Sequence, residues 1–131
     1  MSPLAPLLSL RDIPDLLAAA RAAADEALRH RALRRLGGPL AAEIGLRAAV
    51  ASAALAGHAY DVEEVRAGTV TDPVVQGALR VAAELPTLAD RWPKAPRQVL
   101  ARLHLLAARD LVATDQLGRP QANVDRLDLL C

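Results

Sequence analysis

Residues 51–65 read Ala51-Ser52-Ala53-Ala54-Leu55-Ala56-Gly57-His58-Ala59-Tyr60-Asp61-Val62-Glu63-Glu64-Val65. Alanine has the highest helix propensity, so the first half continues a helix. Gly57 is then a natural C′ residue, free to take the left-handed conformation that closes a helix. Asp61 with Glu64 three residues later has the capping-box spacing, which starts a short helix ending near Ala67-Gly68. No stretch here alternates as a strand does. The pattern is helix, corner, helix, and it points to an all-α class.

Upstream, a helix is expected from Leu40 to Ala56. Ile44, Ala48, Ala51, Ala54 and Leu55 form a stripe of small and apolar residues that lets a neighbouring helix approach closely. Glu43 and Arg47 stand four apart in the favourable order for an ion pair. Gly37-Gly38-Pro39 reads as the firm stop of a preceding helix. That helix opens on Asp12 as N-cap, with Pro14 and Asp15 in its first turn. Ile13, Leu16, Leu17, Ala20, Ala24, Ala27 and Leu28 fall on one face at spacings of three and four. Arg29, Arg31, Arg34 and Arg35 crowd what reads as its last turns, the end that favours cations.

Downstream, Asp72-Pro73 repeats the cap-then-proline signal. Val74, Val75, Ala78, Leu79, Ala82 and Leu85 make the apolar face of a helix that Pro86 is expected to stop. Gly77 inside it is costly by about 1 kcal/mol relative to Ala and so marks close packing. Thr87 and Asp90 frame a short turn carrying Trp92. Pro96 opens a helix with Val99, Leu100, Leu103, Leu106 and Ala107 facing in. The expected organisation is an extended arm over residues 1–12, a helical domain over 13–112 and a tail over 113–131. The fold expected is five or six helices in one orthogonal or bundle-like domain.

Hydrophobic residues are 53% of the 131, enough to bury a core and too many for a disordered chain. Aromatics are 2%, Tyr60 and Trp92, so the core must be built from Leu, Val, Ile and Ala. A net charge of +1 with interspersed signs gives no strong pull toward nucleic acid or an anionic membrane. One cysteine, Cys131, excludes an intramolecular disulfide and a cysteine cluster. The opening residues lack a basic n-region and do not read as a signal peptide. No apolar run reaches the ~20 residues a membrane span needs, so a soluble cytoplasmic protein is the expectation.

Chemistry is thinly represented. His30, His58 and His104 share no i, i+4 spacing, so no metal site is expected. Ser2, Ser9 and Ser52 lack a Gly-x-Ser-x-Gly elbow, and no Gly-rich nucleotide loop follows a strand. Asp61, Glu63 and Glu64 are first-turn acids that complement a helix dipole. Arg29, Arg31, Arg34 and Arg35 are the candidate contacts for an anion or nucleic acid, although acids lie close by and no aromatic interleaves.

The stretch Ser52-Ala53-Ala54-Leu55-Ala56-Gly57, with the turn and Val62-Glu63-Glu64-Val65 after it, resembles the helical region of Fic-domain proteins. The resemblance covers roughly residues 40–92. The phrase Thr69-Val70-Thr71-Asp72-Pro73-Val74-Val75-Gln76-Gly77-Ala78-Leu79-Arg80 is also similar to one in uncharacterised actinobacterial proteins. Fic proteins carry a Ser/Thr-x-x-x-Glu-Gly/Asn inhibitory motif on a helix, and the matching positions here are Ser52, Ala56 and Gly57. Ala56 stands where the family has its glutamate, and it offers neither charge nor hydrogen bond. The family's His-x-Phe-x-Asp/Glu-Gly-Asn-Gly-Arg loop is absent; the chain has no Phe. The resemblance therefore implies a helical scaffold without the family's nucleotide transfer, acting as a protein-interaction or regulatory module with a protein partner or itself. No catalytic residue and no cofactor are expected. Two alternatives stand beside it. The chain is a fragment of a longer Fic-like enzyme, as the amphipathic ending at Leu127, Leu129 and Leu130 suggests, or a weak DNA-binding domain using Arg29 to Arg35.

Overall fold

The computed structural model describes residues 5–119. Among them are six α-helices and no strand: α1 (Ala5–Leu8), α2 (Ile13–Arg29), α3 (Arg31–Leu55), α4 (Val62–Arg66), α5 (Pro73–Ala89) and α6 (Pro96–Ala108). A 3-10 turn over Thr114–Gln116 follows. The protein is all-α. The expected amphipathic ending at Val124 to Leu130 and Cys131 lies outside the described residues.

The chain divides into two compact units, residues 1–40 and 41–131, where one domain was expected. In the first, α1 contacts α2. Residues 5–8 are one helical turn and not an extended arm: Pro6 suits a first turn, and the Ser9 hydroxyl donates to the Pro6 carbonyl at 2.7 Å. Asp12 does precede α2, with Pro14 in the first turn, but its side chain makes no cap hydrogen bond. No residue of α2 is buried.

The helix boundary after α2 differs from the expected one. α2 ends at Arg29, His30 is extended (φ −61°, ψ 133°), and α3 begins at Arg31. His30 Nδ1 accepts the Ala32 N–H at 3.2 Å, as an N-cap side chain does. Arg34 Nη2 turns back to the Arg29 carbonyl at 2.9 Å and satisfies an orphan acceptor of α2. Gly37, Gly38 and Pro39 then lie inside α3. Pro39 has no N–H for the Arg35 carbonyl, a local weakness that the helix tolerates. The boundary between the compact units falls one residue later.

The second unit holds the buried core. Val50 and Ala53 of α3, Val65 of α4, Val70 of the connecting loop and Val75 of α5 are buried together, flanked by Leu46, Val62, Val74 and Leu79. The face of α3 that enters this core is Leu46, Val50 and Ala53, and Ala49 on the same helix is also buried. The stripe expected to face in is the outer one instead: Ala48, Ala51 and Ala54 are exposed, and Leu55 is 92% exposed. In an Ala-rich helix both stripes look small. The larger Val50 and Leu46 decide, because they gain more from leaving water than alanine does.

α5 and α6 pair closely. Gly77 sits where a Cβ would overlap the Ala107 carbonyl oxygen and lie 3.0 Å from its carbon, so only glycine permits this approach. Arg80 Nε donates to the Leu106 carbonyl at 2.9 Å across the same seam. Arg80 Nη2 is 2.8 Å from Asp110 Oδ2, an ion pair outside hydrogen-bond geometry. α5 continues through Pro86 to Ala89. Leu88 in this last turn is buried, which holds the helix past the proline. Trp92 lies in the turn that follows, partly exposed.

Candidate functional site

The corner between α3 and α5 is assembled by capping chemistry. Gly57 has φ 91°, its N–H donates to the Ala54 carbonyl at 3.0 Å, and the His58 N–H donates to the Ala53 carbonyl at 2.9 Å. These two bonds are the Schellman closure, so Gly57 is the C′ residue its sequence suggests. Asp61 and Glu64 form the expected capping box around α4. Asp72 caps α5 by accepting the Val74 N–H at 2.8 Å.

Asp72 has a second use that the sequence does not show. Its other oxygen lies 2.7 Å from His58 Nδ1 and accepts the Tyr60 hydroxyl at 2.9 Å. The Asp72 carboxyl is held below its ordinary value, first by the His58 bond and then by the Val74 N–H and the Tyr60 hydroxyl. The Tyr60 phenol is pushed up, because its proton is engaged by a carboxylate. The Asp72 side chain is 12% exposed and that of His58 41%. A carboxylate on Nδ1 orients an imidazole as in a general base, yet no serine, threonine or cysteine is recorded as bonded to this His58 among the described residues. The contacts that are present fix the loop 57–61 to the start of α5.

A second cluster ties α3 to α4. Arg66 Nη1 and Nη2 donate to the two oxygens of Glu43 at 2.6 and 3.0 Å, a bidentate pair. Arg47 Nε reaches Glu43 Oε1 at 2.6 Å, and Arg66 Nε also reaches Glu63. With two guanidinium groups on it, Arg66 first, the Glu43 carboxyl falls from 4.5 to about 2. The Arg66 guanidinium is correspondingly raised, by Glu43 and then Glu63. The Glu43–Arg47 spacing was legible; Arg66, distant in sequence, was not.

Ser52 and Ala56 are exposed at the end of α3, and Gly57 is the cap described above. Arg29 closes α2, whereas Arg31, Arg34 and Arg35 occupy the opening turns of α3, the end that disfavours cations. The four arginines therefore do not crowd one helix end. Arg29 also lies 3.9 Å from Asp25. Among the described residues no group of three or more His, Cys, Asp or Glu could hold a metal ion. His104 Nδ1 accepts the Gly118 N–H at 2.9 Å, a structural tie between α6 and the chain after it.

Among the described residues, open grooves line the second unit. One, of about 370 Å³, runs between α3 and α5 along Ala41, Gly45, Leu46, Leu79, Ala82 and Pro86, with no side chain to orient a polar ligand. Another, of about 290 Å³, is crossed by the Arg102–Glu84 pair at 3.3 Å.

α2 leaves apolar side chains open to solvent. Its apolar face shows Leu16 61% exposed and Leu28 70% exposed, with Leu17 also open. Leu7, Leu8 and Leu10 beside it are exposed as well. No helix among the described residues is long and apolar enough to cross a membrane. No protein-family model, curated protein or solved structure matches the sequence.

Proposed function

We propose that the protein is a non-catalytic helical interaction module. Its second unit is the folded scaffold, and α2 is the helix that engages a protein. The observation that carries this reading is the exposed apolar face of α2, a helix with no buried residue. In proteins most of a helix's stability comes from packing its apolar face. Exposed large apolar side chains on one helix face are what an interaction surface presents.

The Fic-like resemblance fits the same reading. At the corner, Ser52, Ala56 and Gly57 end a helix, and Ala56 has no group that could act on a nucleotide. The chain is proposed as a Fic-like scaffold without catalytic groups, working in the cytoplasm through a protein partner. The test is quantitative affinity capture with the wild-type chain against Leu16→Asp and Leu28→Asp, alongside calorimetry with ATP. The reading expects specifically bound protein to be lost with both variants and no heat with ATP. Saturable ATP binding, or capture indifferent to both substitutions, refutes it.

A further inference from the structure

We propose that two copies of this chain pair through α2 in antiparallel order; this rests on the interaction-module reading and names the partner. The face of α2 is close to palindromic. Large residues stand at its ends and alanines at its middle, so an antiparallel copy sets Leu16 against Leu28, Leu17 against Ala27 and Ala20 against Ala24. Alanines at the centre let the two helix axes come close, while leucines fill the space as the helices diverge. Such a pattern fits a two-fold interface, in which the same patch serves both subunits.

The charges agree. Arg21 and Asp25 lie four apart on one flank of the apolar face, both exposed. No ion pair of Arg21 is recorded among the described residues, and Asp25 has only Arg29 at 3.9 Å. In the antiparallel register each Arg21 lies on the same flank as the other copy's Asp25, two residues or about 3 Å out of step along the axis and within reach of its long side chain. In parallel order that flank meets Ala19 and Ala23, which offer no charge. An anionic membrane is the poorer occupant, because Asp15, Asp25 and Glu26 outnumber Arg21 and Arg29 along the helix.

The test is sedimentation velocity of the full chain over graded concentrations. The wild type is expected to dimerise reversibly. Arg21→Asp and Asp25→Arg, each alone, set like charges together and should weaken the dimer by about tenfold or more. Mixing the two variants restores both contacts, and a heterodimer should form at the wild-type concentration. Far-ultraviolet circular dichroism checks that the variants keep their helices. A wild-type monomer at all concentrations, a dimer unchanged by either variant, or a mixture that fails to pair overturns the proposal. So does a monomer that binds phosphatidylcholine or phosphatidylglycerol vesicles through Leu16. A monomer that still captures a different protein through Leu16 and Leu28 overturns the self-pairing and leaves the module reading standing.

Discussion

Gly77→Ala is the sharpest probe of the scaffold, because two opposing effects can be weighed. The substitution improves helix propensity by about 1 kcal/mol. Against this, the new Cβ overlaps the Ala107 carbonyl oxygen and sits 3.0 Å from its carbon and 3.2 Å from its Cα. Carbon contacts prefer roughly 3.5–4.0 Å, so α5 and α6 must part by about 0.5–1 Å, enough to forfeit a quarter to a half of each dispersion contact across the seam. The obstacle is helix backbone and cannot swing aside. Leu88 and Val99 lose packing, and the Arg80–Leu106 bond at 2.9 Å is stretched. Overpacking of this kind costs about 1–3 kcal/mol, so the net effect is destabilising by up to about 2 kcal/mol. For a unit of this size that is a fall in Tm of up to about 15 °C. Gly45→Ala is the matched control: its Cβ would meet only the Ala82 Cβ, at 3.6 Å, an ordinary contact. It should be neutral or stabilising by up to about 1 kcal/mol. Urea denaturation followed by circular dichroism and Trp92 fluorescence reads both. Equal effects for the two glycines would refute the close approach of α5 to α6.

Three further outcomes follow from the same contacts. Gly37→Ala and Gly38→Ala place a Cβ in open space within α3 and should each raise helicity and stability, by up to about 1 kcal/mol, in thermal melts; a loss would mean that the helix does not run through them. Glu43→Gln should lower Tm at neutral pH. Because the folded carboxyl titrates at about 2 against an ordinary 4.5, its contribution is present above 4.5 and fades as pH falls toward 2. The variant and wild-type melts should therefore converge in that window, and a constant gap would exclude the Arg66 pairing as the cause. Asp72→Asn should also lower Tm at neutral pH. The Asp72 carboxyl is depressed when folded, so its stabilisation is lost as pH falls below the ordinary carboxylate range. Tyr60→Phe should reproduce part of the loss, and no change in either would deny the role of Asp72 in holding the loop.

The sequence carried the local chemistry of the fold well. Gly57, the Asp61–Glu64 box, Asp72-Pro73 and the start at Pro96 are readable because caps and turns depend on residues a few positions apart. Gly77 was readable as a packing mark because a glycine in a helix needs a reason. What depends on distant residues was not legible. Pro39 and Pro86 read as stops, yet both lie inside helices, Pro86 with Leu88 buried beyond it. The inward stripe of α3 is not legible, because alanine gives little contrast between faces. The Arg29 to Arg35 group reads as one helix end in sequence; His30 splits it between two helices. At the corner, Asp72 is legible as a cap, while its bonds to His58 and Tyr60 come from residues fourteen and twelve positions away.

The central claim is that the chain carries, beside a unit with a buried core, a helix α2 that has no buried residue among those described. Hydrogen–deuterium exchange of the full chain across a range of protein concentrations tests it most directly. Amides around Val50, Val75 and Val99 should exchange slowly at every concentration, and those of α2 rapidly at the lowest, slowing as concentration rises. Amides of α2 as protected as those of Val75 in the most dilute sample would contradict it.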